Sequence, residues 1–228
     1  EAEEIGDQIA ALISLLGSLA EKYIDVIMPG YTHLQVAQPV RFSQHLLAHA
    51  YALSRDAARL GAVRAQCDIM PLGVGALAGV NYENDRGFLK DELGFSDITR
   101  NSMDTTSDRD YLLDFLYFAA VAGMHLSRMS EEIVLWSSSE FGFIRLSDHV
   151  TTGSSIMPQK RNPDLAELIR GKCGRLYGNL MSMLTTMKGL PLCYNRDLQE
   201  DKEPLFDSVD TIAMSIEAMC EMLATMTV

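Results

Sequence analysis

Basic charge is scarce in this sequence: 19 Lys and Arg stand against 31 Asp and Glu, a formal net charge of −12. Holding a phosphate backbone takes clustered Lys and Arg, so the charge balance argues against nucleic-acid binding. Long apolar runs are missing too. No stretch nears the roughly 18 residues a membrane helix needs, and the opening EAEEIGDQ lacks the basic-then-apolar pattern of a secretory leader. No membrane partner and a cytoplasmic location are therefore expected. The four cysteines, Cys67, Cys173, Cys193 and Cys220, form neither a CxxC pair nor a zinc-ligand spacing and read as reduced and structural. Internal repeats and low-complexity linkers are absent as well, which leaves no sign of a solenoid or a string of domains.

What the chain does have is a folded protein's composition, with 47% hydrophobic and 22% charged residues over 228 positions, enough to bury a substantial core. From Glu1 to about Val26, Ile5, Ile9, Leu12, Ile13, Leu16 and Leu19 recur every three or four residues, the stripe of an amphipathic helix. MPGYTHLQ interrupts it, and a second helical run extends from about Val40 to Gln66. PLGVGALAG, Pro71 to Gly79, is too rich in glycine for a helix and reads as a loop, with a short helix expected near Glu83 to Leu93. A long run follows from Thr106 or Ser107, either a suitable N-cap, to about Ser139. Its section from Leu112 to Met124 is apolar nearly all round and needs neighbours on every side.

A fourth long helix is expected from Asn162-Pro163-Asp164 to Lys188, with Asn capping and Pro in the first turn. A last one spans Gln199 or Glu203 to Met226, its methionines 214, 219, 222 and 226 filling core. No strand-like alternation competes. The expectation is one elongated all-α domain, a bundle of about five long helices, each roughly 40 Å long at about 1.5 Å per residue.

Three irregular segments carry more polar residues than turning a corner requires. In TTGSSIMPQKRNPD, Thr151 to Asp164, Gly153 gives backbone freedom, Ser154 and Ser155 give hydroxyls, and Lys160 and Asn162 lead straight into a helix N-terminus. A cation, backbone N–H groups and a positive dipole end are thus gathered at one spot, which suits an anion.

GSSIMPQKRNP also resembles the signature loop of the fumarase/aspartase superfamily, and Gln159 followed by KRNPD is most like its argininosuccinate lyase branch. MPGYTHLQVAQP, PLGVGALAG and LPLCYNRDLQEDKEPLFDSVDT resemble further regions of that branch, so the likeness spans nearly the whole chain. It implies a carbon–nitrogen lyase that splits argininosuccinate into arginine and fumarate without cofactor or metal. By the same resemblance Ser154 is the catalytic base, its oxyanion stabilised by Lys160, and His33 pairs with Glu167. Thr32, Asn162, Tyr194, Gln199 and Lys202 match the family's substrate contacts.

The family's sites are built from three subunits of a homotetramer, so a homo-oligomer is expected. The chain departs from the pattern in VNYENDRGFL, where an isoleucine commonly precedes the Asp-Arg pair. An N-terminal region with a Ser-Arg-Asn-Asp motif and a C-terminal helical domain also have no counterpart. The sequence is accordingly expected to be the central helical domain, 1–228, and inactive by itself.

Blander readings compete at each position. Ser154-Ser155 alone reads as a helix-approach turn, His33 as a core or capping histidine, Glu167 as a first-turn carboxylate, and Tyr194, Gln199 and Lys202 as solvated loop residues. The motif wording around each favours function. His45 and His49, four apart on one helix, have no HExxH and no third ligand in sequence, and read as packing. Two other functions stay open: another lyase of the superfamily, which a substrate panel separates, and a non-catalytic, crystallin-like structural role, against which Ser154, His33 and Lys160 speak.

Overall fold

The structure, a computed structural model, describes all residues 1–228. Its first helix, α1 (Ala2–Lys22), forms where the three-and-four spacing puts Ile5, Ile9, Leu12, Leu16 and Leu19 on one buried face. Each such side chain contributes about 1.5–3 kcal/mol by leaving water. α1 packs against α2 (Phe42–Cys67), and α2 against α5 (Asp110–Ser137). α5 is also covered by α6 (Asp164–Met187) and α7 (Lys202–Thr225), and α7 closes the bundle on α1. The five long helices are those expected, and two short ones, α3 (Arg86–Leu93) and α4 (Ser102–Ser107), lie in the connection from α2 to α5.

Cross-helix contacts fix the directions. Glu3 near the start of α1 meets Arg64 near the end of α2. His45 and His49 at the start of α2 meet Glu132 at the end of α5, while Gln66 meets Asp114. Glu131 of α5 pairs with Arg170 early in α6. The helices therefore run up, down, up, down, up, and the bundle has two ends. One holds the segments 23–41 and 138–163; the other holds 68–109 and 188–201. α5 alone, at 28 residues, separates them by about 42 Å.

Several expectations need correction. MPGYTHLQVAQP is an antiparallel hairpin, β1 (Ile27–Thr32) with β2 (Gln35–Arg41), carrying a register shift between Pro29 and Tyr31. It shows no alternation in sequence because nearly all of β2 faces solvent. Two-residue strands also pair as β3 (Ile69–Met70) with β4 (Asp97–Ile98), and β5 (Thr152–Gly153) with β6 (Arg161–Asn162). Thr106 and Ser107 cap nothing: they end α4, which Asn101 caps through its side chain, and α5 begins afresh after Arg109. Asn162 does not cap α6 either. Pro163 holds that position, and the Asn162 amide instead donates to Thr152 Oγ1 at 3.3 Å. A six-residue 3-10 turn, Arg196–Asp201, precedes α7. Met219, Met222 and Met226 fill the core as expected, but Met214 is exposed.

The apolar stretch of α5 is buried on its inner side through Phe115, Leu116, Phe118 and Ala119. On its outer side Tyr117, Val121 and Met124 meet Tyr177, Leu180 and Met181 of α6 in an open furrow lined only by hydrophobic residues.

Candidate active site

The signature loop is a small hairpin pinned at its base by the β5–β6 pairing, Thr152 opposite Asn162 and Gly153 opposite Arg161. Arg161 locks it further: its guanidinium pairs with Asp148 at 2.6 Å and donates to the Pro158 and Lys160 carbonyls. That partnership holds the Asp148 carboxyl below its ordinary range. Thr152 Oγ1 donates to Asp164 on the first turn of α6, tying the loop to the helix start. Gly153 lies in strand backbone with open space where a Cβ would be, so within one chain nothing demands glycine there.

Inside the loop, Ser154 Oγ accepts the backbone N–H groups of Met157 at 3.1 Å and Ile156 at 3.3 Å. Two donors aimed at one hydroxyl oxygen favour its anionic form, the requirement for a serine that takes a proton. Sequence reasoning named cations and N–H groups in general; the structure supplies these two amides. Lys160 is exposed on the same loop and forms no ion pair, leaving its ammonium free for an anion. Ile156, at 86% exposure, stands out of the loop with no cover.

Thr32 and His33 are at the tip of the β1–β2 hairpin, at the same end of the bundle as the loop. His33 and Leu34 form its two-residue turn, both with φ of 55°. Left-handed backbone at two consecutive non-glycine residues costs about 1–2 kcal/mol each and is the geometry of a tight two-residue hairpin turn. His33 is exposed and makes no hydrogen bond to Glu167, which lies near Arg170 at 4.0 Å instead. One chain does not bring the expected His33–Glu167 pair together.

Tyr194, Gln199 and Lys202 are at the opposite end. A turn with Cys193 at φ 71° leads into the 3-10 segment, where Gln199 Nε2 donates to the Tyr194 hydroxyl at 2.8 Å. Lys202 Nζ donates to Asp201 Oδ1 at 2.8 Å, and Arg109 Nε to Asp201 Oδ2 at 2.6 Å. Burial works to raise the Asp201 carboxyl, but the hydrogen bonds and charges of Lys202 and Arg109 outweigh it and hold the group low. The trio keeps one net positive charge at that end. Arg109 and Asp201 were missed in sequence because nothing signals a pairing 92 residues apart. Arg86 was missed too. It binds the Leu72 and Thr99 carbonyls and so braces the Pro71–Gly79 loop, which carries three left-handed glycines, Gly73, Gly75 and Gly79.

The profile of a family described as lyase matches residues 1–178. The chain belongs to the lyase family. Among curated relatives, this lyase chain is 54% identical over all 228 residues to an argininosuccinate lyase of Caldanaerobacter subterraneus, covering 52% of that protein. It is 57% identical over 219 residues to another of Dehalococcoides mccartyi, covering 48% of it. The chain thus spans about half the length of the curated relatives it matches. Among solved structures, an EDDS lyase in complex with formate superposes at a TM-score of 0.91 and 28% identity over 99% of this chain and 45% of its own. A class II fumarase from Schistosoma mansoni does so at 0.87 and 20%, over 100% and 53%. The fold is that of these helical lyases.

Proposed function

We propose that this chain is the central helical domain of an argininosuccinate lyase, a carbon–nitrogen lyase that releases arginine and fumarate. The observation that carries the proposal is Ser154 Oγ held by two backbone N–H groups inside GSSIMPQKRNP, in a sequence 54% identical to such lyases. In the proposed reaction the Ser154 oxyanion removes a proton from the succinyl carbon beside a carboxylate. The electron pair passes through an aci-carboxylate to form the fumarate double bond as the C–N bond breaks, and the departing guanidino nitrogen takes up a proton.

Charge builds on a carboxylate during that step, so stabilising it is the largest contribution to rate. Lys160, the start of α6 and Lys202 supply positive potential in a protein of formal charge −12. Thr32, Asn162, Tyr194 and Gln199 act as substrate contacts, and His33 with Glu167 as a proton-handling pair. These residues fall at two bundle ends about 42 Å apart, far beyond the reach of one small substrate. The site is accordingly assembled from several copies of the chain, which is also what the uncovered furrow beside Tyr117 and Tyr177 supports. The number of copies proposed is four, in the cytoplasm; no helix of the chain is long and apolar enough to cross a membrane.

The test is Ser154→Ala in the full-length protein, with fumarate release from argininosuccinate followed by absorbance. Turnover is expected to fall by several orders of magnitude with helicity and oligomeric state unchanged. Activity at the wild-type level would assign the base elsewhere, and turnover of a different succinyl or ammonia-releasing substrate in its place would assign another lyase of the same fold.

A further inference from the structure

His45 and His49 stand one helical turn apart on α2, with ring centroids 5.7 Å apart. Both direct Nε2 at the same oxygen of Glu132 on α5, at 2.8 and 2.6 Å. The third ligand that the sequence did not offer is therefore present, brought from 83 residues away by the antiparallel packing of α2 and α5. All three donor atoms lie within 4.8 Å of one another. The rings are not free to turn away: His45 packs edge-on to Trp136 at 4.7 Å, and His49 is only 15% exposed.

We infer that His45, His49 and Glu132 form a binding site for a divalent transition-metal ion, with Zn2+ or Co2+ the fitting class. Two imidazole nitrogens and one carboxylate oxygen are the borderline donor set such ions take. With metal–ligand distances of about 2.0–2.2 Å, the present contacts need to open by roughly half an ångström to seat the ion. Two of the three, His45 and Glu132, also line a cavity of about 260 Å³ together with Trp136, Tyr31 and His33. The ion replaces the protons now shared between Nε2 and carboxylate. Each imidazole ligates through an unprotonated Nε2 and keeps one proton on Nδ1, and any proton displaced passes to solvent.

Glu132 is an anion throughout the neutral range. Burial works to raise its carboxyl, but the His45 and His49 hydrogen bonds and charges overcome that and bring it down to about 2. The ion would clip the start of α2 to the end of α5 directly beneath the hairpin that carries His33. The site owes nothing to the lyase chemistry and stands whether or not that reading holds.

The experiment adds Co2+ alone to chelator-treated full-length protein and follows the visible d–d absorption. Wild type is expected to give a saturable band at one ion per chain, displaced by Zn2+. Glu132→Gln, which keeps shape and one hydrogen-bonding oxygen, and His49→Gln are each expected to weaken binding by at least about 100-fold, the upper range for groups that merely support a ligand. Absence of a saturable band in wild type, or an unchanged band in Glu132→Gln with helicity intact, would overturn the inference. Should His49→Gln not fold, Glu132→Gln decides alone.

Discussion

A few side chains here hold unusual electrostatic positions, and Glu132 is the clearest. Its folded carboxyl sits at about 2 against an ordinary 4.5, so the folded state binds fewer protons than the unfolded one across that interval. The stability this supplies is complete above about pH 4.5 and is lost as pH falls toward 2. Urea titrations of wild type and Glu132→Gln should therefore converge on acidification, with wild type losing an extra amount on the order of 3 kcal/mol through that window. Parallel curves would show that the two imidazole contacts carry no net weight. Glu132 could not be read from sequence, because one glutamate in SEEIVLW differs in nothing from a solvated one. Ser154 was legible for the opposite reason. Its signal is the wording of an entire loop, and the amides of Ile156 and Met157 that donate to its oxygen follow from the turn which that wording builds.

Between helices, the most deeply buried ionisable joint is Asp56 of α2 with His125 of α5, Nδ1 to Oδ2 at 2.7 Å, with Arg59 of α2 at 2.9 Å. Asp56 is fully buried, and burial raises its carboxyl more than His125 and Arg59 lower it. Removing the carboxylate would strand its partners beside a void, so Asp56→Ala is expected to cost about 3–5 kcal/mol in chemical denaturation; a loss below about 1 kcal/mol would mean the joint is not buried as described. The helices that make such joints were legible because Ile5, Ile9, Leu12 and Leu16 repeat at helical spacing, and the observed ends fall within a few residues of those expected. The β1–β2 hairpin was not. Met28 is its one buried residue, too little to write an alternating pattern, and the hairpin depends on Gly30, where a Cβ would come within 2.8 Å of the Gln38 carbonyl oxygen. The break before α5 was hidden as well, since Asp108 Oδ1 accepts the Asp110 amide N–H at 2.7 Å and starts a new helix where the apolar pattern looked continuous.

At the scale of the molecule, the bundle's length decides what one chain can do. Ser154, Lys160 and His33 are at one end, and Tyr194, Gln199 and Lys202 at the other, with a 28-residue helix between them, about 42 Å. Under the proposed function, a substrate that touches both sets lies where the ends of different copies meet, and the Tyr117–Tyr177 furrow is a face on which the long helices would pack. The 228-residue chain by itself is therefore expected to release no fumarate. A sharper consequence concerns the full-length protein. On the proposed reading, Ser154→Ala and Lys202→Ala are each expected to damage every site when present alone. Co-assembled in one oligomer, they leave some sites whose Ser154 end and Lys202 end both come from intact copies. Refolding the two inactive proteins together should restore a measurable fraction of wild-type turnover, whereas refolding either with itself should not. Equal inactivity of the mixture, with mixed oligomers demonstrated by differential tagging, would mean that both ends serve the same copy's site and that the separation seen along α5 is not how the enzyme is built.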